Sequence, residues 1–168
     1  MGAHEHRESA KQEARGRCVV LVVTDSKTIE TDTSGLAAAA IFKEHGHDVV
    51  RREIVSNERA KIAAAAEAAL PDADLVVTIG GTGVSRKDLS VDALKPLIDK
   101  ELPGFGELFR ARSAGEIGTA AILSRALLGV TAEGKIVLAL PGSEGAVRLA
   151  LGEILMRELP HLLRELRR

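Results

Sequence analysis

The chain has 168 residues, a net charge of −1 with its histidines neutral, three Phe and neither Trp nor Tyr. The balanced charge excludes an electrostatic grip on DNA or on an anionic membrane. The scarcity of aromatics excludes a stacking platform for single-stranded nucleic acid.

The first sixteen residues, "MGAHEHRESAKQEARG", mix both charge signs and hold no apolar run of secretory type, so residues 1–16 are expected to form a polar, disordered leader. His4 and His6 lie close together in this leader, a weak signal for metal. The remainder, 17–168, fits a single domain that buries roughly two thirds of its unfolded surface. No apolar run approaches the ~20 residues of a membrane span. The lone Cys18 cannot form an intrachain disulfide and reads as a buried strand thiol. Together these features point to a cytoplasmic protein.

Four apolar or β-branched runs follow, at Cys18–Thr24, Asp48–Val55, Leu75–Ile79 and Lys135–Leu140. The first, third and fourth are almost continuously hydrophobic, as strands buried on both faces of a parallel sheet must be. The second, "DVVRREIV", is more polar and belongs nearer an edge. The segment "TSGLAAAAIFKEHG" predicts a helix ending at Gly46, and "NERAKIAAAAEAAL" predicts another, capped by Ser56 or Asn57 and stopping before Pro71. Residues 91–130 form a longer, mostly helical insertion, expected to be broken into short pieces by Pro96, Pro103, Gly104, Gly106 and Gly115. After the last strand, "SEGAVRLALGEILMREL" places Val147, Leu151, Ile154 and Leu155 on one helical face. The closing "LPHLLRELRR" is amphipathic and suits either the body or a neighbouring subunit. Strands alternating with helices imply an α/β fold with helices on both faces of a mostly parallel sheet.

In open α/β sheets, ligands bind beyond the carboxyl ends of the strands. Three exits there are small, polar and rich in unshielded N–H groups: Thr24-Asp25-Ser26, Gly80-Gly81-Thr82-Gly83 and Pro141-Gly142-Ser143. Such loops at helix starts suit an anion. The known phosphate fingerprints do not fit. "GTGVSRKD" lacks the glycine before Lys87 and has Asp88 where a P-loop has Ser or Thr, and Arg86 stands where a dinucleotide motif needs its third glycine. Asp88 has two readings, a cap for the helix beginning near Ser90 or a carboxylate serving a cation or substrate. "ETDTSG", Glu30 to Gly35, likewise offers helix caps in Asp32, Thr33 and Ser34, or a phosphate contact. His45 and His47 are expected to decorate a helix end. Arg110, Arg112 and Arg125 suit phosphate neutralisation or surface ion pairs.

The segments "DTSG", "TIGGTGVSRKDLSVDAL", "PGFGELFR", "EIGTAAILSRALLGV" and "LALPGS" occur in one order that resembles the MoaB/MogA proteins of molybdenum cofactor biosynthesis, the MoaB branch more closely. The resemblance spans about Arg17 to Glu158. It implies a three-layer α/β/α domain that forms trimers, or hexamers in the MoaB branch, and that binds molybdopterin. In active members it implies Mg²⁺-dependent adenylylation of molybdopterin by ATP, with release of pyrophosphate.

Carried over residue by residue, the resemblance implies a nucleotide phosphate cradle at Gly80, Gly81, Thr82 and Gly83, with Ser85 beside it. Asp88 matches the catalytic aspartate, acting with Mg²⁺. Pro141, Gly142 and Ser143 match the second loop of the site, Asp25 and Ser34 its floor, and Glu107 and Ser113 its lining. One departure stands out. Adenylylating members carry an acid after the second strand, where this chain has Ser56 and Asn57, followed by Glu58. A molybdopterin-binding protein without chemistry is therefore the alternative. A third reading, another reaction on the same domain, belongs to longer chains.

Overall fold

The computed structural model describes residues 14–168. Most of the expected leader, with His4 and His6, lies outside the described residues. A single six-stranded sheet runs through the molecule in the order β2-β1-β3-β6-β5-β4. β1 (Arg17–Val23), β2 (Asp48–Val55), β3 (Leu75–Ile79) and β6 (Ile136–Leu140) are parallel. The relatively polar β2 lies at the edge, as expected. Two short strands inside the 91–130 insertion, β4 (Lys100–Glu101) and β5 (Leu127–Val130), extend the sheet antiparallel beyond β6.

Alternate residues of the buried strands face two separate apolar clusters. Cys18, Val20, Val22, Val77 and Leu138 pack against helix α1 (Thr33–Glu44), against Phe105 and Phe109 of α4 (Pro103–Ile117), and against the C-terminal helix. Val19, Leu21, Val76 and Val137 pack on the opposite face against α2 (Arg59–Ala69) and α3 (Ser90–Leu94). The result is a three-layer α/β/α arrangement, with the period of two along each strand dividing the core. Cys18 is fully buried, and that burial pushes its thiol up to about 12.

Local chemistry accounts for most helix ends. α1 closes in a Schellman motif: Gly46 takes φ +83°, its N–H donates to Lys43 O (3.0 Å), and the His47 N–H donates to Phe42 O (2.9 Å). α1 opens on Asp32, whose carboxylate accepts from the Gly35 N–H (2.9 Å) and pairs with Arg52 (2.8 Å). "ETDTSG" thus supplies a cap. α2 begins one or two residues later than expected, with Glu58 at the cap position and no side-chain capping bond, because Asn57 is engaged elsewhere.

The insertion is less fragmented than its glycines imply. Pro103 sits in the first turn of α4, where a missing N–H costs nothing, and Gly104, Gly106 and Gly115 continue as helix. A side chain at Gly106 would meet Ala126 O at 2.9 Å, so this glycine serves close packing instead of a break. The C-terminal stretch is one continuous helical run: α5 (Glu144–Val147), a π-helical segment (Arg148–Leu155) and α6 (Met156–Leu166). Leu159 and Leu163 of α6 are buried on the body of the chain. Among the described residues no helix is long and apolar enough to cross a membrane.

His47 departs from its expected place on the surface. It is buried, and its Nδ1 accepts from the Gly16 N–H (3.0 Å). Burial lowers its pKa from the ordinary 6.5, with His45, Arg15 and Arg167 acting in the same direction and Asp48 opposing them. The unfolded chain therefore binds this proton more readily than the folded one. The stabilisation is complete above the ordinary value and is lost as pH falls below about 6.5 through the folded value. Melting temperature should accordingly fall between pH 7 and pH 5, and the fall should shrink in His47→Asn, whose Oδ1 can still accept from Gly16. A second substitution tests the α1 start. A Cβ at Gly35 would lie 2.2 Å from Asp32 Oδ2 and 2.5 Å from Val22 Cγ2. Gly35→Ala should cost about 1–3 kcal/mol in denaturant unfolding, since neither neighbour is free to move.

Candidate ligand site at the carboxyl rim

The parallel strands deliver four exits to the same pole of the sheet, and backbone contacts join them directly. The Thr24 N–H donates to Val55 O (3.0 Å), and the Gly80 N–H donates to Leu140 O (2.8 Å). Gly80 adopts φ +104°, and a Cβ there would sit 2.6 Å from Val23 O. Gly81 adopts φ +72°, with its Cβ position 2.5 Å from Ser90 Oγ. Both positions need glycine for conformation and for space. Gly142 packs over the same point, its Cβ position 3.5 Å from Gly80 Cα. The exits of β1, β3 and β6 are thus brought into contact.

The two carbonyls that begin the glycine loop are both taken by Ser90. Its hydroxyl donates to Gly80 O (2.6 Å) and its N–H to Gly81 O (3.0 Å). Asp88 does not cap α3, whose cap position is Leu89 without a side-chain bond. Its carboxylate turns back into the loop and accepts from the Ser85 N–H (2.8 Å). Hydrogen bonds from the Ser85 side chain, reinforced by the Ser85 and Gly83 N–H groups and by the charge of Arg125, hold Asp88 below its ordinary pKa. A Cβ on Gly83 would lie 2.8 Å from Asp88 Oδ2, so this glycine makes room for the carboxylate. Asp88 is therefore a fixed anion, half-buried in the loop it organises.

Two residues tie this loop to its surroundings in roles the sequence did not disclose. The Asn57 N–H donates to Asp25 Oδ1 (2.9 Å), and its Nδ2 donates to Lys87 O (2.6 Å). Asn57 thereby fastens the exit of β2 to those of β1 and β3, while its buried Oδ1 has no partner. The Arg125 guanidinium donates to Gly83 O (2.7 Å) and to Asp88 O (2.8 Å), and pairs with Asp92 (3.1 Å). Neither phosphate neutralisation nor a simple surface ion pair describes it.

The remaining candidates fall into two groups. Thr82 is buried and its carbonyl accepts from the Arg125 N–H (2.8 Å). Ser85 Oγ accepts from the Lys87 N–H (3.2 Å), Pro141 is half-buried, and Ser143 caps α5 by accepting from the Ala146 N–H (3.2 Å). These stand with Asp25 and Asp88 on the rim. Ser34 is instead buried at the start of α1, its hydroxyl donating to Asp32 (3.4 Å). Glu107 is exposed on α4 in a cleft of about 70 Å³ shared with Leu102, Gly106 and Arg110, and Ser113 is buried on the same helix. The Arg110 guanidinium donates to Ser124 O and Ala126 O, on either side of Arg125. A larger cavity of about 580 Å³, lined by Leu70, Pro96, Ile98 and Glu133, lies at the opposite end of the sheet.

Exposed cations surround the rim: Lys27 beyond β1, Arg59 at the start of α2, and Arg86 and Lys87 in the glycine loop. Together with the N–H-rich exits they make a surface suited to a multiply charged phosphate ligand. Among the described residues, no group of three or more His, Cys, Asp or Glu side chains is placed to hold a metal ion alone.

Comparison with known proteins agrees with this fold. Residues 19–161 match the family described as a probable molybdopterin binding domain. Molybdenum cofactor biosynthesis protein B of Bacillus cereus is 43% identical over an alignment covering 100% of this chain and 99% of its own. A crystal structure of a molybdenum cofactor biosynthesis protein B superposes with a TM-score of 0.86 at 44% identity, covering 90% of this chain and 95% of the other. The tungsten cofactor synthesizing protein MoaB from Pyrococcus furiosus superposes at 0.83 with 36% identity, covering 92% and 98%. With its fold and nearly all of its length shared in this way, the chain belongs to the MoaB/MogA family of molybdenum cofactor biosynthesis proteins.

Proposed function

We propose that this protein acts in molybdenum cofactor biosynthesis by binding molybdopterin at the carboxyl rim and adenylylating it with ATP. The observation that carries this reading is Asp88, a carboxylate held ionised inside a glycine loop at the meeting point of three strand exits. In the reaction, a terminal phosphate oxygen of molybdopterin attacks the α-phosphorus of ATP. The bond from that phosphorus to the β-bridging oxygen breaks, and pyrophosphate leaves with the electron pair. The N–H groups of Gly81 and Thr82 and of Gly142–Ser143 hold phosphate oxygens, and Lys27, Arg86 and Lys87 offset their charge.

Asp88 and Asp25 are oxygen donors of the kind Mg²⁺ prefers, and their small number suits an ion that arrives with the nucleotide and keeps several waters. Bound there, Mg²⁺ would withdraw charge from the phosphates during transfer.

A second reading, molybdopterin binding without chemistry, is favoured by one feature. The position after β2 carries Asn57, a neutral strut between Asp25 and Lys87, where a further carboxylate would serve the ion. Incubation with molybdopterin, ATP and Mg²⁺ separates the two. Pyrophosphate and adenylyl-molybdopterin should form, and Asp88→Asn should lower turnover roughly hundredfold, the equivalent of about 3 kcal/mol of transition-state stabilisation. Tight molybdopterin binding without any product from the wild-type protein would leave the binding reading in its place.

The same reading includes a homo-oligomer, a trimer or hexamer in the cytoplasm. Ile117, Ile122 and Leu123 form an apolar surface at the end of α4 and the 3₁₀ turn after it, with Ile122 77% exposed. Exposed apolar side chains grouped in this way suit burial against a copy of the chain. Light scattering should give a mass of at least three chains at micromolar concentration, and Ile122→Asp should shift it toward the monomer.

A further inference from the structure

We propose that Arg125 is a positioning residue, which clamps the glycine loop from outside and so fixes the direction of Asp88 within it. The inference rests on the reading that this loop and Asp88 handle the nucleotide. Gly83 and Asp88 stand at the two ends of the loop "GVSRKD", and one guanidinium takes the carbonyls of both, Nε to Gly83 O at 2.7 Å and Nη2 to Asp88 O at 2.8 Å. The remaining donors of Nη1 and Nη2 reach the Asp92 carboxylate at 3.1–3.2 Å, which orients the plane of the group. The backbone of Arg125 is anchored as well, its N–H on Thr82 O at 2.8 Å. The flanking carbonyls of Ser124 and Ala126 are held in turn by Arg110.

This arrangement closes the loop from two sides. From inside, the Asp88 carboxylate accepts from the Ser85 N–H and packs against Gly83, where a Cβ would lie 2.8 Å from Oδ2. From outside, Arg125 draws the two end carbonyls toward one rigid plane. A fork of five fixed donors can serve two carbonyls and a carboxylate together, and an ammonium cannot match that geometry. Without the fork, both carbonyls turn to water and the ends of the loop separate. Asp88 keeps its charge but loses its aim, and small displacements at a reacting centre are costly.

The test compares Arg125→Ala, Arg125→Lys and Asp92→Asn with the wild-type chain, in two arms. Hydrogen exchange, which needs no substrate, should speed up by about tenfold at amides 83–88 in Arg125→Ala while the rest of the molecule and its melting temperature stay near wild type. In the adenylylation assay, kcat should fall roughly hundredfold with KM for molybdopterin little changed, as expected for misplacement of a reacting group. Arg125→Lys should lie between the wild type and Arg125→Ala in both arms. It carries the test if the alanine variant does not fold. Asp92→Asn, which spares the two carbonyl bonds, should have the smallest effect. Unchanged exchange at 83–88 in the Arg125 variants, or a rise spread evenly over the chain, would overturn the proposal. So would equal losses in Asp92→Asn and Arg125→Ala, which would assign the effect to the ion pair. A wild-type protein that releases no pyrophosphate overturns the adenylylation reading and leaves the clamp to be judged on exchange, where a rise confined to 83–88 supports it.

Discussion

The candidate site depends on one close approach. The backbone of Gly80 passes so near Val23 O that a Cβ would lie 2.6 Å from it, while its N–H is bound to Leu140 O and Gly142 lies against its other side. This contact draws the exits of three parallel strands into one rim. Any residue but glycine would meet both a steric clash and an unfavourable positive φ. The parallel pairing of β1, β3 and β6 supplies the alignment, and Gly80 supplies the space.

Around that point, the polar groups of the loop are distributed with little left over. Ser90 takes the first two carbonyls, Arg125 takes those of Gly83 and Asp88, and Asn57 takes that of Lys87. With these carbonyls engaged, the loop is shaped around donors, which suits an anion. Asp88 is the exception, an acceptor enclosed by N–H groups of its own loop, and the same bonds that lower its pKa set its orientation. The half-exposed Arg125–Asp92 pair adds little stability by itself. Its importance lies in the two carbonyls that the guanidinium holds.

Much of the architecture was legible in the chain. Strands buried on both faces must be apolar throughout, and "CVVLVVT", "LVVTI" and "KIVLAL" therefore stand out from their surroundings. Gly46 ends α1 as its position promised, because a left-handed residue closes the Schellman bonds. The insertion was harder to read. β4 has two residues and β5 four, too short for any periodicity to register. The glycines of α4 look like breaks, yet Gly106 is there for packing against Ala126. His47 appeared to be a surface residue, since nothing local reveals that Gly16, 31 residues earlier, closes over it.

The sequence by itself determined the α/β class and the three N–H-rich exits, because each follows from residue type and spacing within a short segment, whereas Asp88 stood open between helix cap and ligand carboxylate until the family resemblance singled it out. Only the tertiary structure decided what Asn57, Ser90 and Arg125 do, and that Ser34 is buried at the helix start where the sequence placed it. Their partners lie 9 to 43 residues away along the chain, except at that start. Hydrogen bonds between side chains and distant carbonyls leave no periodic trace in a sequence. They come into existence only when the sheet has brought the strand exits together.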